Sequence, residues 1–285
     1  MSEMWTIGTI LKWTGQYFGD KGVDNPRLDA EVLLSHILGK DRLYLYTHFD
    51  QPLTPEELAA YRECVKKRVM RMPVAYITGR KEFMGLNFKL TPAVLVPRPD
   101  TEILVEAALE GLKHRESPVV ADIGTGSGAI IVAVLHALPL ASGTAVDISP
   151  QALAVARQNS QENGVADRLN LLEGDMLEPV KGRLFDAILS NPPYIPAADI
   201  AGLEPEVRQE PRLALDGGTD GLDCYRRIMA GGRELLKPGG FIAVEVGIGQ
   251  AAAVAELARG GGLIDIEIRK DLSGIERVVM AVRGI

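Results

Sequence analysis

Val119-Val120-Ala121-Asp122-Ile123 runs directly into Gly124-Thr125-Gly126-Ser127-Gly128 and then into the apolar stretch 129–137. The first five residues read as a buried strand. The alternate glycines let the backbone reverse sharply, and the apolar stretch is long enough for a helix and free of proline. A strand that passes into a helix over so short a turn predicts the first half of a βαβ unit, and with it a parallel sheet. From Pro118 to the end the same alternation continues. Strands are predicted over 119–123, 143–147, 169–173, 185–189, 241–246, 264–268 and 277–282, and helices over 129–137, 150–163, 222–236 and 250–258. The pattern predicts an α/β domain with a mainly parallel sheet covered on both faces.

The N-terminal quarter follows a different rule. Residues 1–72 read as helical throughout by apolar periodicity. Thr54-Pro55-Glu56-Glu57 carries an N-cap, a proline at the first helical position and a capping-box glutamate. Residues 73–98 change character: Phe83, Leu86, Phe88 and Leu90 surround Met84-Gly85, as in a β-hairpin joining two domains. Arg98-Pro99-Asp100-Thr101-Glu102 then opens a helix to about His114, with Asp100 or Thr101 as its expected cap. The expected organisation is a helical recognition domain over 1–72, a hairpin linker over 73–98 and a catalytic domain over 99–285. Arg62, Lys66, Lys67, Arg68 and Arg71, followed by Arg80 and Lys81, make a basic stretch from the end of the third long helix, which reads first as a solvated face and second as a docking surface for an acidic partner or RNA.

Composition narrows the classes. The chain has 285 residues, 46% hydrophobic and 24% charged, with a net charge of −7. That balance argues against bulk nucleic-acid binding. No apolar run has the length of a membrane span, and the first residues carry no export or transit signature. Cys64 and Cys224 are far apart and the four histidines are scattered, so no metal site is expected and a reduced, cytoplasmic protein is.

The ends of the predicted strands carry the chemistry. Gly124, Thr125, Gly126, Ser127 and Gly128 form a turn whose amides can face a ligand at a helix N-terminus. Gly124, Gly126 and Ala129 also satisfy the dinucleotide pattern, so this turn alone does not separate nicotinamide or flavin from S-adenosylmethionine. Asp147 ends the second strand about 20 residues on, the spacing for a ribose-binding acid. After the third strand, Asp175 can accept from an adenine amino group and Met176 can pack on its face. Asp122 reads as an orienter of the loop and of the ligand's amino end. Together the three strand ends read as one adenosyl pocket.

The fourth strand ends in Asn191-Pro192-Pro193-Tyr194. The Asn191 side-chain oxygen and the Pro192 carbonyl can accept hydrogen bonds from an NH₂ group. They would thereby aim its lone pair at a methyl sulfonium and favour the developing ammonium. Tyr194 offers a flat face for a planar amide or base. Asn191, Pro192 and Tyr194 are the expected catalytic residues, and Asn191 to Tyr194, with Pro193, the expected substrate contacts. Neither strand ends nor tetrapeptide distinguish a glutamine amide from a base amine.

The pairing of Asp122-x-Gly124-x-Gly126-x-Gly128 with Asn191-Pro192-Pro193-Tyr194 resembles the Rossmann-like methyltransferases that modify amino nitrogens. Tyr76-Ile77-Thr78-Gly79, Glu82-Phe83, Arg98 to Glu102, Glu210-Pro211-Arg212 and Asp220-Gly221-Leu222 are similar to the HemK/PrmC family. That resemblance spans essentially the whole chain. It implies methyl transfer from S-adenosylmethionine to the glutamine amide nitrogen in the Gly-Gly-Gln loop of peptide chain release factors. It also implies a seven-stranded sheet whose last strand is antiparallel. By the same resemblance, the cofactor contacts would be Gly124 to Gly128, Asp147, the Met176 position and Asn191. Alternative readings are a ribosomal-protein glutamine methyltransferase, a nucleic-acid amino-methyltransferase and a non-catalytic binder. The sister enzymes acting on a ribosomal protein usually lack the Arg98–Glu102 run.

Overall fold

The structure is a computed structural model that describes residues 5–285. The expectation about the chain's first residues falls partly on 1–4, outside the described residues. The chain divides into two compact units. One holds the residues up to Gly79 together with Glu204–Gln209, the other Arg80–Leu203 and Glu210–Ile285.

The first unit is built from helices α1 (Ile7–Asp20), α2 (Pro26–Leu38), α3 (Arg42–Thr47), α4 (Pro55–Val69) and α5 (Val74–Thr78). Thr54 caps α4 and Glu57 returns the bond to the Thr54 amide, so the predicted capping box is present. Phe18, Leu33, Leu34, Leu45 and Tyr61 fill the core, and the Tyr61 hydroxyl donates to the Ala30 carbonyl at 3.1 Å. Residues 48–53 are not helical, and 74–78 are. Pro73 opens α5 and Gly79 stops it, as a proline start and glycine stop do.

The solvated-face reading of the basic stretch fails at Arg68. This side chain is buried and pairs with Asp29 at 2.7 Å and Glu206 at 2.8 Å. Arg71 joins Glu206 at 3.1 Å. Burial opposes the charge on Glu206, but Arg68 and Arg71 outweigh it and hold its carboxyl below the ordinary glutamate value. Burial wins at Asp29 and raises its carboxyl despite Arg68.

The second unit begins with a hairpin, β1 (Arg80–Phe83) and β2 (Leu86–Lys89), and helix α6 (Pro99–Leu112). Then come β3 (Val119–Ile123), α7 (Ala129–Ala137), β4 (Ser142–Asp147), α8 (Pro150–Glu162), β5 (Leu169–Glu173) and β6 (Phe185–Ser190). The chain closes with α9 (Asp223–Gly232), β7 (Leu236–Glu245), α10 (Ala251–Gly260), β8 (Ile264–Lys270) and β9 (Glu276–Val282). The seven-stranded sheet has the order β5-β4-β3-β6-β7-β9-β8. β3 to β7 are parallel, and β9 is antiparallel to both its neighbours.

Alternate strand residues face opposite cores, as a period of two requires. Val120, Ala187, Leu189 and Ala243 pack with α6 and α7, while Ala121, Ile123, Ile188 and Val244 pack with α9 and α10. Two expectations are corrected. The α9 helix stops at Gly232 rather than 236, because Gly231-Gly232 weakens the helix, and β7 already begins at Leu236. Neither Asp100 nor Thr101 caps α6: Arg98 is its N-cap residue and makes no side-chain cap bond. The chain order reverses between β3 and β6, and crevices at such switch points hold ligands in open α/β sheets.

Candidate active site

The loop after β3 is braced from its neighbours. The Gly124 and Thr125 amides donate to the Val146 carbonyl of β4 at 2.9 and 3.0 Å. Gly124 and Gly126 have φ of +74° and +55°, and a Cβ on either would project into open space. The turn is therefore a cradle that any side chain would begin to fill. Behind it, the buried Asn159 of α8 donates to the Ser127 carbonyl at 2.8 Å. The same side chain accepts from Lys89 N at 2.7 Å and donates to Lys89 O at 3.1 Å.

Asp122 lies fully buried under this loop. Its Oδ2 accepts the Thr125 hydroxyl at 2.6 Å, and its Oδ1 has no partner. Burial pushes its carboxyl up to about 7, against the Thr125 hydrogen bond, and the Asp147 charge adds to the rise. Asp122 is absent from the cavity wall, so the structure sets it against the loop, as an orienter of the turn, and not against a ligand.

At the end of β4, Asp147 Oδ2 accepts the Gly126 amide at 2.8 Å and Oδ1 accepts the Ser149 amide at 2.9 Å. Both oxygens keep a lone pair for a ligand hydroxyl. Beyond β5, Met176 takes a positive φ of 52° and packs at the margin of the α9–α10 core. Asp175 is half exposed and its Oδ2 accepts from Arg227 of α9 at 2.8 Å, which leaves Oδ1 for an adenine amine.

Ser190, at the end of β6, donates its hydroxyl to the Ile123 carbonyl at 2.6 Å and so ties the two strand ends together. Asn191 follows, and its Nδ2 donates to Thr101 Oγ1 at 3.2 Å. Pro192 is buried. Tyr194 packs against the α9–α10 core, and its carbonyl accepts from Gln250 at 2.9 Å. Burial pushes the Tyr194 hydroxyl up to about 12, helped by the Glu245 charge.

The polar side chains of Arg98 to Glu102 reach four separate places. Arg98 pairs with the buried Glu210, whose other oxygen accepts Val96 N at 3.1 Å. Asp100 pairs with Arg277 of β9 at 2.9 Å. Thr101 accepts from Asn191, and Glu102 accepts Met84 N at the hairpin turn at 2.8 Å. Glu245 closes β7 in this region. Burial pushes its carboxyl up to about 7, and the Thr101 hydroxyl and Asn191 amide oppose that rise as hydrogen-bond donors.

These strand ends surround a cavity of about 280 Å³, lined wholly from the second unit. Gly124, Thr125, Gly126, Ser127, Asp147, Asp175, Met176, Asn191 and Pro193 stand in its wall. Gly128, Pro192 and Tyr194 do not: Gly128 is the N-cap residue of α7, Pro192 is buried, and the partly buried Tyr194 packs against the α9–α10 core. Thr101, Cys224 and Arg227 line the cavity without having been singled out as ligand contacts. Glu245 was missed altogether. Its one signal is a lone acid inside the apolar run Phe241-Ile242-Ala243-Val244-Glu245-Val246.

Comparison with known proteins gives the family. Residues 9–79 match the family model of the PrmC N-terminal domain, and residues 100–202 that of the methyltransferase small domain. A release factor glutamine methyltransferase of Geobacter sulfurreducens is 51% identical, over 97% of this chain and 96% of that protein. Enzymes with the same name from Moorella thermoacetica and Bordetella pertussis are 48% and 46% identical. Those alignments cover 92% and 95% of this chain, and 93% and 98% of those proteins. Among solved structures, a Pyrococcus furiosus methyltransferase aligns with a TM-score of 0.52 and 18% identity, over 81% of this chain and all of that one. The hMettl16 catalytic domain in complex with a 3′UTR hairpin aligns at 0.58 and 16%, over 80% and 82%. These structures share the fold. By its close relatives, the chain belongs to the release factor glutamine methyltransferase family.

Proposed function

We infer that this chain transfers the methyl group of S-adenosylmethionine to the side-chain amide nitrogen of the glutamine in the Gly-Gly-Gln loop of peptide chain release factors. The observation that carries this reading is Asn191, standing in the cavity wall with its Nδ2 committed to Thr101. Its Oδ1 is then the end left for an incoming NH₂ group.

When bound, S-adenosylmethionine supplies an electrophilic methyl group on sulfur. The glycine turn and Asp147 would hold its ribose and amino-acid parts, and Asp175 and Met176 its adenine. Asn191 Oδ1 and the Pro192 carbonyl accept from the glutamine NH₂. They draw electron density toward the nitrogen and steady the positive charge that grows there in the transition state. Pro193 and Tyr194 hold the planar amide in register. The proton leaves the nitrogen for solvent after transfer.

The helical unit is proposed to recognise the protein substrate, with 1–72 as its extent, 73–98 as the linker and 99–285 as the catalytic domain. Among the described residues no helix is long and apolar enough to cross a membrane, and a substrate in the translation machinery suggests the cytoplasm. A nucleic-acid substrate is not expected at a net charge of −7. A tritiated methyl-transfer assay offering release factor, ribosomal protein and RNA tests the reading. Label on the release factor glutamine is expected; label on RNA alone overturns it.

A further inference from the structure

We propose that Thr101 and Glu245 are positioning residues for Asn191, and that together they decide which end of its amide faces the acceptor. The inference rests on Asn191 acting as an amide acceptor in the reaction proposed above. Ser190 of β6 stands in register with Val244 of β7, so Asn191 and Glu245 leave adjacent parallel strands side by side. Thr101 reaches them from the first turn of α6. Asn191 Nδ2 donates to Thr101 Oγ1 at 3.2 Å, and that hydroxyl still has its own proton to give. The buried Glu245 carboxyl is the acceptor at hand: it ends β7 beside Asn191, and its Oε2 has no hydrogen-bond partner. The neighbouring cation is engaged elsewhere, since Arg277 pairs with Asp100 at 2.9 Å and Asp271 at 2.8 Å.

With the Thr101 hydroxyl turned to Glu245, a chain from Asn191 Nδ2–H through Thr101 O–H to Glu245 runs in one direction only. A carboxylate accepts, so the hydroxyl must donate to it and accept from the amide. An asparagine amide is nearly symmetric in shape, and a flipped amide would meet the substrate NH₂ with its own NH₂. The relay removes that choice. It also accounts for a buried acid in an otherwise apolar strand, where valine would pack at lower cost.

The test compares Thr101→Val, Thr101→Ser and Thr101→Val combined with Asn191→Ala, in single-turnover methyl transfer to release factor. Thr101→Val should slow transfer about tenfold or more while the S-adenosylmethionine Kd stays within about twofold. Thr101→Ser should restore most of the rate. In the Asn191→Ala background, Thr101→Val should add nothing, because both changes act through one group. Multiplying effects, or a wild-type rate in Thr101→Val, would overturn the proposal. Glu245→Leu should behave like Thr101→Val, and Glu245→Gln, which keeps an acceptor, should stay close to wild type. The Asn191 side-chain NH₂ resonances, identified by their loss in Asn191→Ala, give a readout independent of any acceptor. They should lie away from the positions of a free asparagine amide in the wild type and move toward them in Thr101→Val; unchanged resonances sink the relay. A wild type that leaves release factor unlabelled while those resonances shift as expected would condemn the substrate reading alone.

Discussion

Asp147 and Gly126 are joined by a 2.8 Å hydrogen bond from the glycine amide to the carboxylate, across the ends of two adjacent strands. One acid therefore both shapes the turn and faces the cavity. Asp147→Ala removes both, and the expected loss in S-adenosylmethionine affinity is about 10- to 100-fold, as for hydrogen bonds to a charged group. Turnover at saturating cofactor should change far less, because ribose contacts act alike in ground and transition states. Calorimetric titration and a cofactor saturation curve measure the two quantities.

Asn191→Ala should do the opposite. Loss of an acceptor aimed at developing charge is expected to lower kcat by about 100-fold or more. Cofactor affinity measured by titration should remain close to wild type. Tyr194→Phe should be mild and Tyr194→Ala severe, since stacking needs the ring and not the hydroxyl.

Gly221 sits at φ +76° with the Tyr194 carbonyl 2.3 Å from where a Cβ would stand. Gly221→Ala must push the loop that carries Tyr194 as well as strain its own backbone. We expect destabilisation of about 2 kcal/mol or more, with a Tm lower by several degrees. Turnover at room temperature should fall while cofactor binding survives. Calorimetry and the transfer assay separate the effects.

Asp122 gives stability a pH dependence of a definite sign. Its folded value of about 7 lies above the ordinary 3.8 of the unfolded chain, because of burial first and Asp147 second. Between those values the folded state holds a proton that the unfolded state has released, so Asp122 lowers stability as pH rises from about 4 to about 7. Asp122→Asn removes this slope. Relative to wild type, the variant should gain about 2–3 kcal/mol between pH 5 and pH 8. Urea unfolding at both pH values measures it. Glu245, raised in the same direction, remains in both proteins and cancels in the comparison.

Arg68 holds Asp29 and Glu206, and all three side chains are largely withdrawn from water. Arg68→Ala leaves two carboxylates short of their partner and should destabilise the helical unit by about 3–5 kcal/mol. Lys66→Ala breaks only the exposed pair with Glu63, which water and salt screen, and should leave the denaturation midpoint unchanged. Chemical denaturation of the two variants checks the contrast.

The sheet was legible because strands buried on both faces must be apolar, and 119–123, 185–189 and 241–246 are short apolar-dominated runs between turns. The glycine turn, Asp147 and Asn191 were legible because strand ends in such a sheet meet at one edge. Thr101 and Glu245 were not, since their meaning depends on α6 and β7 arriving beside β6. Arg68 misled for the same reason: its position in a basic run suggests water, while its partner Glu206 lies 138 residues away. The end of α9 was misjudged because helical periodicity in 222–236 outlasts what two adjacent glycines permit.

The hairpin is fastened at both ends of its short ladder. Glu102 takes the Met84 amide at the turn, and Asn159 grips Lys89 and Ser127 together. A minimal catalytic fragment would therefore have to start ahead of Arg80. Trimming the hairpin would strip Asn159 of its Lys89 bonds and slacken the Ser127 carbonyl, so a shortened enzyme would lose its grip on the cofactor through a segment that stands outside the cavity wall.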